Sequence, residues 1–164
     1  MRVLGLDMGD RRIGIALSDP LGFSAQRLAV LERSDESSDL DAINQLVLRH
    51  GVEAIVVGLP LTMQGARGAQ ARKVEAFAQR LRGRVAVPVQ LLDERLTTVQ
   101  GQRSLLETGT SRRKRKQVID QIAAQLILQD FLDRRRMNPS ASSVDGRRAP
   151  PLAPYARGTE GLRP

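Results

Sequence analysis

Apolar residues crowd the start of the chain, and their spacing changes three times before it ends. Arg2 to Met8 (RVLGLDM) has apolar residues at nearly every position, the mark of a strand covered on both faces. Gly9 to Arg12 (GDRR) supplies turn residues, and Ile13 to Ser18 then reads as a second strand, so the chain opens with a hairpin. A third strand is expected around Gln26 to Leu31. From Ser38 the period becomes helical, with Leu40, Ile43, Leu46 and Val47 on one face, Ser38 and Asp41 at capping-box spacing, and Gly51 as the stop. Ala54 to Val57 is a short buried strand. The glycine-bearing loop Gly58 to Gly68 leads into a helix burying Val74, Phe77, Ala78 and Leu81. Val85 to Leu92 reads as a strand in which Pro88 marks an edge or a bulge. A helix is expected from about Thr98 to Glu107, opened by a capping box at Thr97 and Gln100 and closed by Gly109. A last helix carries Val118, Ile119, Ile122, Ala123, Leu126, Ile127 and Phe131. Strands first, then alternating helix and strand, then helices, predict a mixed α/β sheet covered on both faces.

Composition narrows the chemistry. The chain of 164 residues suits one domain, placed at residues 1–136, and from Met137 to Pro164 large apolar residues nearly vanish, so that stretch is expected to be a disordered tail. With no cysteine and a single histidine, His50, thiolate and His-rich metal sites are excluded, and any metal must be held by oxygen. A net charge of +8 favours a polyanionic partner. No run reaches the eighteen or so apolar residues of a membrane span, and the start lacks a signal-peptide layout, so a cytoplasmic protein with no membrane partner is expected. Only three Phe and one Tyr are present, with no Trp. That scarcity argues against stacking platforms for splayed bases and for reading of nucleic-acid shape or backbone.

Carboxylates collect at three places. Asp7 interrupts the first apolar run beside Gly5 and Gly9, where a charge is costly unless paired or coordinating; a turn residue is the plain alternative. Asp93-Glu94 follows an apolar strand, at the carboxyl end where ligands gather in open α/β sheets. Alternation lets only one of the two face the same side as Asp7; Glu94 is the better choice, with Asp93 in a supporting role. Asp120 interrupts the last helix one turn before Ala124, and a surface ion pair with Lys116 is the competing reading. Together the three acids suit an oxygen cage for magnesium or manganese, able to activate water for attack at phosphorus. Arg11 and Arg12 in the first turn and Arg112, Arg113, Lys114, Arg115 and Lys116 (RRKRK) before Asp120 are candidate phosphate contacts.

Four blocks, GLDMGDRRIGIALSD at Gly5 to Asp19, VVGLPLTMQGARG at Val56 to Gly68, LDERLTT at Leu92 to Thr98 and KQVIDQIAAQLIL at Lys116 to Leu128, resemble the YqgF or RuvX family of RNase H-like proteins. Thr62 and Gln64 depart from that family's usual GLPLNMDG. The resemblance implies an RNase H-like fold, with a five-stranded mixed sheet flanked by helices. It also implies that Asp7, Glu94 and Asp120 are catalytic metal ligands, and that the substrate is structured RNA, chiefly the precursor of 16S ribosomal RNA. Branched DNA cut by a Holliday junction resolvase is the second substrate reading, and a resolvase would act as a homodimer to cut two strands. A non-catalytic nucleic-acid-binding module is a third reading. Asp7-Met8-Gly9 also resembles the first phosphate loop of actin-like ATPases, but these need a duplicated domain for which the chain has no room.

Overall fold

The computed structural model describes residues 1–61, 65–94 and 112–138, with side chains from residue 122 onward in the last stretch. Strands β1 (Val3–Met8), β2 (Arg12–Ser18), β3 (Ala25–Glu32), β4 (Ala54–Leu59) and β5 (Val89–Asp93) form one sheet in the order β3-β2-β1-β4-β5. The first three pair antiparallel as consecutive hairpins, whereas β4 joins β1, and β5 joins β4, in parallel. The expected five-stranded mixed sheet is therefore present. Helices α1 (Glu36–His50) and α2 (Ala69–Arg82) cover one face and α3 (Arg112–Met137) the other. None of the helices among the described residues is long and apolar enough to cross a membrane.

Alternation along β1 divides the core. Leu4, Leu6 and Met8 join Ile43, Val47, Phe77 and Leu81 beneath α1 and α2, while Val3 packs with Ala123, Ala124, Ile127, Leu128 and Phe131 of α3. Gly5 lies on the α3 face, where an added methyl would sit 2.7 Å from Leu128 Cβ and 3.0 Å from the Ala124 carbonyl oxygen. Helix and strand thus meet nearly backbone to backbone. Arg135 reaches the Met1 sulfur at the start of β1 (3.7 Å), so α3 runs antiparallel to β1.

Two expectations are corrected. Helix α1 begins before the Ser38–Asp41 pair: Asp35 is the N-cap, accepting from the Ser38 N–H (3.0 Å) and hydroxyl (2.8 Å), while Asp41 pairs with Arg84 on the surface. An aspartate three residues upstream caps the helix as well as serine would, and the intervening Glu36 suits a first turn. Residues Val85 to Val87 are not strand. The Val85 N–H donates to the Leu81 carbonyl at the end of α2 (3.0 Å), and pairing with β4 starts at the Pro88 carbonyl, which accepts from Ile55 N–H (2.9 Å). Pro88 does mark an edge, since β5 ends the sheet. The basic run 112–116 forms the first turns of the last helix, which ends at Met137. The helix expected at 98–107 and the tail 139–164 lie outside the described residues.

Candidate active site

Two of the three expected acids come to one place. Asp7 is the seventh residue of the chain and alternates with Leu6 and Met8, so it projects to the α3 face; it is only 5% exposed. Glu94 follows β5 and is 3% exposed. Its carboxylate leans back across β4: a methyl on Gly58 would stand 2.7 Å from Glu94 Oε1 and 3.2 Å from Glu94 Cγ. Gly58 is the next residue after Val57, which pairs with Leu6, so the glycine lies beside Asp7 on the neighbouring strand. The Glu94 carboxylate thus lies over β4, the strand next to that of Asp7, where Gly58 has only a hydrogen in place of a side chain. Asp93, fully buried, pairs with Leu59 and falls on the opposite face by alternation.

Helix α3 carries position 120 toward the same place. Ala124 stands over Gly5, four residues of helix rise about 6 Å and two residues of strand about 6.6 Å. Running antiparallel, the helix backbone therefore brings position 120 level with Asp7. The side chains of Asp120 and of Arg112, Arg113, Lys114, Arg115 and Lys116 lie outside the described residues. Among the described residues no three acidic or histidine side chains gather to hold a metal; Asp7 and Glu94 supply two.

The turn after Asp7 is held from three sides. Gly9 N–H donates to the Arg12 carbonyl (2.9 Å), closing the turn so tightly that a Gly9 Cβ would be 2.6 Å from that oxygen. The Arg33 guanidinium donates to the Gly9 carbonyl (2.9 Å), lies over the Phe77 ring and approaches buried Asp39 at 3.7 Å. Gln70 of α2 donates to the Met8 carbonyl (3.4 Å). Arg11 and Arg12 lie on this turn and are exposed, Arg12 pairing with Glu32 across the hairpin (2.9 Å). An exposed pair of this kind holds by less than about 1 kcal/mol, so phosphate can take its place. The Arg33 tether and the Gly58 gap carry no sequence signal: an arginine at a strand end and a glycine before a loop are ordinary.

Two buried carboxylates on one face, oxygen donors only, fit a hard divalent cation. The model of the RuvX family, described as a Holliday junction resolvase, matches residues 1–134. A protein of Moorella thermoacetica named "Putative pre-16S rRNA nuclease" is 54% identical over 138 residues, covering 84% of this chain and 99% of the relative. One of the same name from Clostridium novyi is 47% identical over 133 residues, covering 81% and 98%. Among solved structures, T. thermophilus RuvC in complex with Holliday junction substrate is similar with a TM-score of 0.54 at 15% identity, covering 83% of this chain and 96% of that one. That likeness gives the fold, an RNase H-like sheet. Matched by the family model over residues 1–134 of its 164, the chain belongs to the RuvX family.

Proposed function

We propose that the protein is a divalent-metal-dependent endonuclease that cleaves structured RNA, maturing the precursor of 16S ribosomal RNA in the cytoplasm. The observation that carries the reading is the burial of Asp7 and Glu94 on one sheet face, with the Glu94 carboxylate laid over Gly58 toward Asp7. Asp7, Glu94 and Asp120 would hold magnesium or manganese. When bound, the metal supplies an activated water and stabilises the leaving oxygen at phosphorus. The chain's own residues do the rest. The sheet fixes Asp7, the Gly58 gap lets Glu94 reach across, and the low exposure of both acids excludes bulk water. Arg11 and Arg12 at the carboxyl end of β1, and the basic positions 112–116 in the first turns of α3 at the same end, support contact with a phosphate backbone there.

The names of the relatives support RNA as substrate. A second reading, cleavage of four-way DNA junctions by a homodimer, is supported by the family's description. Labelled precursor 16S RNA and a four-way DNA junction, each incubated with magnesium, manganese or chelator, separate the two. Metal-dependent cutting confined to the RNA is expected; symmetric cutting of the junction alone would replace the first reading by the second. Tight binding without cutting of either would leave the chain a binding module.

A further inference from the structure

At the end of the sheet remote from Asp7, the loop between β2 and β3 presents Leu21 and Phe23, 74% and 51% exposed. The loop is built to hold that shape. The Asp19 carboxylate accepts from the N–H groups of Leu21 (3.2 Å), Phe23 (2.6 Å) and Ser24 (2.8 Å), while Asp19 N–H bonds the Ser24 carbonyl (3.0 Å). Gly22 turns the chain at φ 78°, and Gln129 of α3 donates to the Phe23 carbonyl (3.1 Å). The Phe23 backbone is therefore held, and its side chain stands half exposed. Beside it stands the last turn of α3, whose Arg134, Arg135 and Arg136 are consecutive cations. The Arg136 guanidinium lies 5.6 Å from the Phe23 ring centroid, and Arg135 lies 5.8 Å from that of Phe131. Two of the chain's three phenylalanines thus meet arginines in this corner.

We propose that Phe23 and the arginines of the last α3 turn form a second nucleic-acid contact, which stacks an unpaired base on the Phe23 ring and neutralises its flanking phosphates. An apolar protein partner would be poorly matched to a ring flanked by the guanidinium groups of Arg135 and Arg136, the latter also paired with Asp133, whereas a strand of nucleotides offers a π-face and an anion at each step. The corner lies about 20 Å from Asp7, measured as six residues along β1. That is about six base-pair steps, so a hairpin cut at the acids could rest an unpaired flank here. The choice of RNA rests on the proposed function, but the contact does not require cleavage.

The test is binding in chelator, by fluorescence anisotropy, of an RNA hairpin with an unpaired flank and of the same hairpin without it, using full-length protein carrying Asp7→Asn. Phe23→Ala should weaken binding of the flanked hairpin by about tenfold, within the range for one base on an aromatic ring, and leave the blunt hairpin unchanged. Phe23→Trp should restore it. Because the ring is exposed, the melting temperature of Phe23→Ala should stay near that of the parent, which identifies a folded variant. Equal affinity of parent and Phe23→Ala for the flanked hairpin overturns the proposal. So does an equal loss on both hairpins, or a Phe23→Ala effect confined to self-association in sedimentation. Because no turnover is measured, failure of the nuclease reading shows up separately, as binding without cutting in metal.

Discussion

Replacing Gly58 with alanine puts a methyl into the space through which Glu94 reaches Asp7. The new carbon would lie 2.5 Å from Ile127 Cδ1, 2.7 Å from Glu94 Oε1 and 3.2 Å from Glu94 Cγ. Ordinary contacts of this kind are about 3.5–4.0 Å, so both side chains must give way by about 1 Å. The atoms met are ends of side chains, so the strand need not move. Ile127 is fully buried, so its displacement overpacks the α3 face, at a cost of about 1–3 kcal/mol. In a domain of this size that lowers the melting temperature by about 4–12 °C. Displacing a metal ligand by about 1 Å costs much more in rate, about a hundredfold. A domain starting from 5 kcal/mol or more would still be over nine-tenths folded at 25 °C, so unfolding could not explain such a loss. Thermal melting followed by circular dichroism, and RNA cleavage at 25 °C under saturating manganese, measure the two effects separately. A variant that melts lower but cleaves at the parent rate would show that Glu94 takes no part in the centre. One unchanged in both would show that β4 and Glu94 are not in contact.

Other expectations follow from the same coordinates. Gly5→Ala meets the Ala124 carbonyl and Leu128 Cβ, which belong to the body of α3 rather than to a side-chain tip; it should lower the melting temperature at least as much as Gly58→Ala, and an unchanged melt would refute the close packing of α3 on β1. Asp35 is held below its usual carboxylate pKa by the Ser38 hydroxyl first and the Ser38 N–H second. Its cap therefore stabilises above the unfolded value of about 4 and fades as pH falls through the lower folded value. The melting gap between parent and Asp35→Ala should be present at pH 7 and shrink toward pH 3, whereas a gap independent of pH would contradict this. Neutralising Arg113, Lys114 and Arg115 together should weaken RNA binding regardless of sequence and reduce the slope of log affinity against log salt by about one per lost phosphate contact; an unchanged slope would remove the run from the interface.

The sheet was legible because the chain writes it plainly. The apolar run around Asp7, the glycine turn and the switch to helical spacing at Leu40 each correspond to an element of the fold. Alternation alone separated Glu94 from Asp93, since the strand ends one residue before Glu94 and parity decides the face. What escaped depends on partners distant in sequence. Val85 lost its strand pairing to a helix carbonyl, which no local pattern reveals. The start of α1 went to Asp35 because two capping residues stand three apart and only tertiary placement chooses between them. The Arg33 tether joins the first turn to a strand end 24 residues away, and Phe23 meets Arg136 only because α3 returns to it. Asp120 was legible as an odd residue in an apolar helix, and the close approach at Gly5 explains how that helix can bring it to the sheet.

The proposed metal centre draws carboxylates from three separate segments to one place, where RNA is cut. It is tested most directly by cleavage of labelled precursor 16S RNA in manganese by the parent chain and by Asp7→Asn, Glu94→Gln and Asp120→Asn, each checked for an unchanged melt in chelator. Each substitution removes a ligand worth several kcal/mol of transition-state stabilisation, so each should lower the rate by about a thousandfold or more while the melts stay close to the parent. Cleavage persisting at the parent rate in any one of the three would take that residue out of the centre, and persistence in Asp7→Asn would contradict the account as a whole.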